Sequence, residues 1–236
     1  MSAHLEGRVY AIAGAAGGLG PTVARCLAEA GATLALTDRV AEALDDLVAE
    51  LGLPEERIDA RVVDLLEEHE ANAWADAVAE RFGRVDGVVH LVGGYKGGDP
   101  IKTTSLGDYT WLHDLLVRTL QLTSRAFHDH ISHPGGRFVL VSSTQARRPE
   151  AKNASYAATK AAAEAWTLAL ADSLAPSGAT ANIVVVNAIL TPAMRERNPD
   201  KEYPSFTPAE DIAEAIAYLL SDAAAKMNGA RLELHP

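Results

Sequence analysis

One cysteine, Cys26, in 236 residues rules out an intramolecular disulfide and agrees with a reducing cytoplasm; on a helix it is expected as a small core residue. No run of about 18 apolar residues is present, so no membrane-spanning helix is expected. Met1, His4, Glu6 and Arg8 lead straight into a strand-like stretch, with no basic and then hydrophobic leader, so the expectation is a soluble, unexported, cytoplasmic protein. Basic side chains are in deficit, 21 Lys and Arg against 32 Asp and Glu; the formal charge of -11 repels phosphate backbones and argues against a nucleic-acid partner. Repeats, low-complexity tracts and Pro/Ser-rich linkers are all missing, so residues 1–236 read as one domain. Aromatics are few, at 6%, but 48% hydrophobic and 22% charged residues still exclude disordered, collagen-like and disulfide-scaffold classes.

What is present alternates. Strand-length apolar runs occur at residues 9–12, 33–36, 61–63, 85–91, 137–141, 182–186 and 231–234, with helix-length stretches at 18–30, 41–51, 67–82, 106–131, 155–175 and 208–221. The runs are nearly continuous Val, Ile, Leu and Ala, as strands buried on both faces require, so the expected fold is a doubly wound α/β domain with about seven parallel strands and helices on both faces. Gly- and Pro-rich segments at 93–100 and 191–208 read as long loops at the carboxyl ends of strands, where such sheets bind ligands.

The first strand runs into Gly14-Ala15-Ala16-Gly17-Gly18-Leu19-Gly20-Pro21 and then a helix. Glycines at 14, 18 and 20 let the backbone approach a pyrophosphate, and the start of a helix attracts its charge. Pro21 suits a first turn that needs no N–H there. Asp38 ends the second strand, 18 residues after Gly20, where a carboxylate accepts hydrogen bonds from a ribose and repels a 2′-phosphate. That favours NAD(H), while Arg39 beside it leaves NADP(H) open.

Tyr156 and Lys160 stand four apart near the start of an Ala-rich helix that Asn153 or Ser155 is available to cap, so the ammonium lies near the phenol and is expected to lower its pKa. Thirteen residues before Tyr156, Ser143 ends the fifth strand. His128-Asp129-His130-x-x-His133 reads as a solvated helix end in preference to a metal site, because residues two apart on a helix diverge. Arg147, Arg148, Lys152, Arg195 and Arg197, interleaved with Glu150, Glu196 and Asp200, read as surface charge in preference to a basic rim for an anionic substrate.

Taken in order, the glycine turn, Asp64-Leu65, Ser143, Tyr156-x-x-x-Lys160, Thr191-Pro192-x-Met194 and residues 209–229 resemble a short-chain dehydrogenase/reductase over nearly the whole chain. The resemblance implies hydride transfer between a nicotinamide and a small-molecule carbonyl or alcohol. It further implies Tyr156 as general acid/base, Ser143 on the reacting oxygen and Lys160 on the nicotinamide ribose. By the same resemblance Leu19 belongs to the cofactor turn, Asp64 and Leu65 meet the adenine, Gly93 backs the ribose, and Ile189 and Thr191 meet the carboxamide. Trp111, Leu112, Leu115, Leu116 and Leu120, with Ala162, Trp166, Leu170 and Leu174, would pair with a second copy in a homodimer or homotetramer.

There are departures from the family pattern. Its Asn-Asn-Ala-Gly reads His90-Leu91-Val92-Gly93, and its Pro-Gly after the sixth strand reads Val186-Asn187. Counted from Trp111, the asparagine of its fourth long helix falls at Arg118, which alters proton shuttling or sets a second cation near Lys160. Gly93-Gly94-Tyr95-x-Gly97-Gly98 and Tyr203-x-Ser205-Phe206-Thr207-Pro208 are similar to dihydropteridine reductases, giving a quinonoid heteroaromatic as the alternative substrate. A dinucleotide-binding regulator without turnover is the rival of another class.

Overall fold

The computed structural model describes residues 4–235; Met1 and Pro236 lie outside the described residues. Seven parallel strands form the main sheet: β1 (Val9–Ala13), β2 (Thr33–Asp38), β3 (Ile58–Val62), β4 (Gly87–His90), β5 (Arg137–Ser143), β6 (Thr180–Val186) and β9 (Arg231–Glu233), in the order β3-β2-β1-β4-β5-β6-β9. β7 (Ala188–Leu190) and β8 (Phe206–Pro208) form a separate two-stranded parallel ladder. The helices are α1 (Gly20–Glu29), α2 (Ala41–Leu51), α3 (Glu68–Phe82), α4 (Leu106–His113), α5 (Thr119–Phe127), α6 (Ala154–Leu174), α7 (Pro192–Arg197) and α8 (Ala209–Leu220).

Period-two alternation in a strand buried on both sides builds two cores at once. From β1, Tyr10 and Ile12 enter one core with Val23 and Leu27 of α1, Leu44 and Leu47 of α2, and Ile212 and Ile216 of α8. Val9, Ala11 and Ala13 enter the other with Trp74 and Val78 of α3, Phe127 of α5, and Leu170 and Leu174 of α6. Trp74 meets Phe127 edge to face, with ring centroids 4.8 Å apart.

Several boundaries depart from the sequence expectation for physical reasons. β3 begins at residue 58, not 61, because it is an edge strand. Its polar Asp59 and Arg61, paired at 2.7 Å, hide it from a search for apolar runs. β4 is shorter than residues 85–91 because Asp86 turns aside into an arginine cluster. The expected helix 106–131 is interrupted by a π-helical turn, Asp114–Arg118, and ends at Phe127. α1 starts at Gly20, after the glycine turn and not within it. The expected loop 191–208 holds α7, capped by the Thr191 hydroxyl, and the β7/β8 ladder that sets Phe206 opposite Ala188.

At the amino edge of the sheet the fully buried Asp86 carboxylate accepts from Val9 N at 2.9 Å, from Arg84 at 2.7 and 2.5 Å, and from Arg8 at 3.3 Å. Its loss would leave the buried Val9 N–H without an acceptor, and Arg8 and Arg84 without their shared carboxylate. Asp86→Ala is expected to cost about 3 kcal/mol, seen as a fall of about 10 °C in the thermal midpoint, with dinucleotide affinity at the opposite edge unchanged.

Candidate active site

A cleft of about 920 Å³ lies along the carboxyl edge of the sheet. It is lined by Gly14, Gly18, Leu19, Asp38, Asp64, Leu65, Gly93, Ser143, Tyr156, Lys160, Ile189 and Thr191, so these expected site residues share one hollow. Gly20 does not line it; it is buried where α1 leaves the turn.

At one end the backbone makes the site. Gly14 has φ +80°, and a Cβ there would lie 2.8 Å from Val92 N, so only glycine fits where the turn crosses β4's extension. A Cβ on Gly20 would stand 2.0 Å from the Ala15 carbonyl oxygen, which is why the first helical turn can close onto the loop. No side chain caps α1; Gly20 N is taken by the Gly17 carbonyl and Pro21 has no N–H, so the helix start offers an anion the Leu19 and Thr22 N–H groups. Asp38 Oδ2 accepts from Ala16 N at 3.0 Å and Oδ1 from Arg39 N at 2.7 Å, tying the carboxylate between the glycine turn and β2. Arg39 is exposed on the rim. Asp64 Oδ1 accepts from Leu66 N at 3.0 Å, fixing the turn after β3. This open glycine cradle, with a carboxylate at its side, fits a dinucleotide.

At the other end α6 carries Tyr156, Lys160 and Glu164, four residues apart on one face. Lys160 is buried and donates to the Val141 carbonyl at 3.0 Å, with Nζ 5.9 Å from the Tyr156 ring centroid. Burial pulls its ammonium down to about 8, against Glu164, which holds it up. The expected lowering of Tyr156 by Lys160 is corrected here: burial raises the phenol, a Ser143 hydrogen bond opposes that, and Tyr95 adds to the rise. The phenol therefore stays protonated at neutral pH, the form that gives a proton to a carbonyl oxygen. Asn153 is the N-cap of α6, but its side chain makes no capping bond and Ser155 lies inside the helix; Asn153 Oδ1 instead accepts from Tyr95 Oη at 2.7 Å.

Glu164, beneath Lys160, accepts from Ser142 Oγ at 2.7 Å and from Arg231 Nε at 2.8 Å. This buried carboxylate was missed in the sequence, although its spacing of four from Lys160 was visible there. Arg118 brings no second cation to Lys160, because its side chain is exposed. The π turn spends an extra residue, which puts the next residue, Thr119, into the cleft wall. Thr119 Oγ1 lies 3.3 Å from His90 Nε2. The substrate end holds Tyr95, Gln145, Glu150, Asn153, Asn187 and Phe206, and none of Arg147, Arg148, Lys152, Arg195 or Arg197. His128, His130 and His133 diverge to Asp129 and Ser173, to Asp76, and to the Val85 carbonyl. Among the described residues no group of three or more His, Cys, Asp or Glu could hold a metal ion, and no helix is long and apolar enough to cross a membrane.

The family described as Enoyl-(Acyl carrier protein) reductase matches residues 14–234. Cis-4-hydroxycyclohexanecarboxylate dehydrogenase of Sinomonas cyclohexanicum is 31% identical over 237 residues, covering 95% of this chain and 94% of that protein. The 7alpha-hydroxysteroid dehydrogenase of Escherichia coli (strain K12) is 29% identical over 236 residues, covering 96% and 92%. A solved short-chain type dehydrogenase/reductase from Mycobacterium ulcerans superimposes with a TM-score of 0.89 at 27% identity, covering 98% of this chain and 89% of that one. With its parallel sheet, its glycine turn and these relatives, the chain belongs to the short-chain dehydrogenase/reductase family of oxidoreductases.

Proposed function

We infer that the protein, as one domain over its length, is a cytoplasmic NAD(P)-dependent dehydrogenase/reductase that prefers NAD(H) and acts on a small-molecule carbonyl or alcohol. The observation that carries this reading is the convergence of Ser143, Tyr156 and Lys160 at one end of a cleft whose other end is the glycine turn tied to Asp38. Bound there, a nicotinamide would supply or accept the hydride. Gly14, Gly18, Leu19 and the start of α1 hold the pyrophosphate, with Gly20 letting the helix close. Asp38 accepts from the adenosine ribose, Asp64 and Leu65 border the adenine, and Gly93, Ile189 and Thr191 border the nicotinamide end. Ser143 holds the reacting oxygen, Tyr156 passes a proton to it in reduction, and Lys160 keeps a positive charge beneath them. Of the residues expected to pair with a second copy, Leu112, Leu116, Leu120, Leu170 and Leu174 are instead buried within this chain; Trp111 and Leu168, 42% and 37% exposed, leave α4 and α6 the apolar surface that supports a homodimer or homotetramer.

The rings of Tyr95 and Phe206 at the substrate end favour a flat substrate, and they keep a quinonoid heteroaromatic as the second reading. Tyr95 already meets Tyr156 edge to face at 5.2 Å. With Glu150 as the charge on that wall and no cation beside it, neutral cyclic ketones suit the site better than carboxylates.

Three outcomes are expected. NADH should bind at least about tenfold tighter than NADPH by fluorescence titration, from the repulsion between Asp38 and a 2′-phosphate, and Asp38→Ala should narrow the gap. Equal affinity in the unsubstituted protein would reject the NAD preference. Tyr156→Phe should lower NADH oxidation against a panel of cyclic ketones, quinones and quinonoid dihydropterin by about 10² to 10⁴-fold, with NADH affinity unchanged. A variant that binds NADH and keeps full turnover would remove Tyr156 from the reaction, and an unsubstituted protein that binds NADH but turns over nothing would favour the regulator. Because the Lys160 ammonium is present below about 8 and lost above it, kcat/KM should fall as pH rises through that value.

A further inference from the structure

Against Thr119 of the cleft wall lies a histidine that the proposed reaction does not use. His90, the last residue of β4, is 1% exposed. Its Nε2 lies 3.3 Å from Thr119 Oγ1, and Thr119 Oγ1 lies 2.7 Å from the Leu115 carbonyl oxygen. A hydroxyl has one hydrogen, and a carbonyl can only accept, so the Thr119 hydrogen is given to Leu115. Towards His90 the hydroxyl can then only accept, and Nε2 must carry the ring hydrogen. The ring is neutral, since burial and the charge of Lys160 pull its pKa down to about 3. A neutral ring protonated at Nε2 has a bare lone pair at Nδ1. That atom is buried and has no hydrogen-bond partner among the described residues. Lys160 reaches the same stretch of the sheet: His90 pairs with Leu140 on β5, and the ammonium, with three hydrogens, gives one to the carbonyl of the next residue, Val141.

We propose that His90 is a positioning residue for Lys160: Nδ1 accepts a hydrogen bond relayed from the ammonium through one water, and the Nε2–H···Thr119 bond locks the ring in the tautomer that can accept. The arrangement gives the buried ammonium a second fixed acceptor besides Val141 and aims its remaining hydrogen into the cleft. An acceptor on the charged form favours that form, so His90 keeps Lys160 protonated to higher pH than burial alone allows. The other titratable side chains facing Lys160 are Tyr156 and Glu164, both from α6, with Arg147 and Arg231 behind Glu164. β5 presents Ser142, Ser143 and the Val141 carbonyl, and the π turn and α5 present Leu115 and Thr119. The kinetic part of the inference rests on the role given to Lys160 above; the tautomer does not.

The test has two arms. In the first, ring ¹⁵N NMR on the full chain, with His90→Phe to assign the signal, should find the Nε2–H tautomer unchanged from pH 5 to 9. An Nδ1–H tautomer, or titration near 6.5, overturns the proposal. In the second, the alkaline fall in NADH kcat/KM is compared among substitutions that keep different halves of the ring. His90→Asn leaves an acceptor near the place of Nδ1, whereas His90→Gln leaves a polar group near the place of Nε2, and His90→Phe leaves neither. His90→Asn should stay within about threefold of the unsubstituted protein with its fall at the same pH. His90→Gln and His90→Phe should move the fall about one pH unit lower and lose about tenfold at pH 8. A normal His90→Gln with a failed His90→Asn places the role at Thr119 and overturns the proposal, as do three variants that all fail alike or all behave normally. If the protein oxidises no NADH, or the variants do not fold, the functional reading is separated from this one and the ring tautomer alone decides.

Discussion

All seven strands of the main sheet point one way, and that constraint governs everything else in the molecule. A parallel pair needs a crossover that runs back over a face of the sheet, so both faces are covered and the central strands are apolar on both sides. The chain starts at β1, works outward to β3, and then returns to lay β4 on β1's free side. The loops leaving β1 and β4 diverge at that reversal, and the hollow between them is the cleft. Gly14 packs against Val92 there because the loops part from adjacent strands with no room for a side chain. The side chains proposed to react come together by the same constraint: Ser143 ends β5, and α6, which crosses back from it, brings Tyr156 and Lys160 to the same edge.

The parts of this arrangement legible in the sequence are those with a local cause. Continuous apolar runs marked the buried strands, the glycine turn and Pro21 marked the entry to α1, and the spacing of four joined Tyr156 to Lys160. What stayed hidden depends on partners distant in the chain. β3 is an edge strand, and charged residues on its solvent side diluted the apolar signal. The π turn leaves no mark in composition, yet it decides that Thr119 and not Arg118 lines the cleft. The protonation of Tyr156 was misjudged for a related reason. Proximity of a cation can be read from spacing, whereas burial, the largest influence on this phenol, cannot, and Lys160 is not among the groups that move it.

Beneath the cleft, charge is arranged in a column. Lys160 lies over Glu164, and Glu164 is met by Arg231 from β9 and, at 3.9 Å, by Arg147. Each buried charge would be costly alone, and the alternation of sign from the cleft floor to the surface makes the set tolerable. Lys160 sits at the poorly compensated end of that column, which is why burial can pull its ammonium down to about 8.

The loop after β4 is fastened at several points. Tyr95 Oη reaches Asn153, Gly98 N reaches the Lys152 carbonyl at 2.8 Å, and Lys96 is held by Asp108 at 2.8 Å and lies over the Trp111 ring at 4.6 Å. Two of those fastenings are at the first residues leading into α6. Any lifting of this loop would therefore pull on the lead-in to the helix that carries Tyr156. The doorway and the alignment of Tyr156 thus rest on the same few contacts, so a change that loosens one would slacken the other.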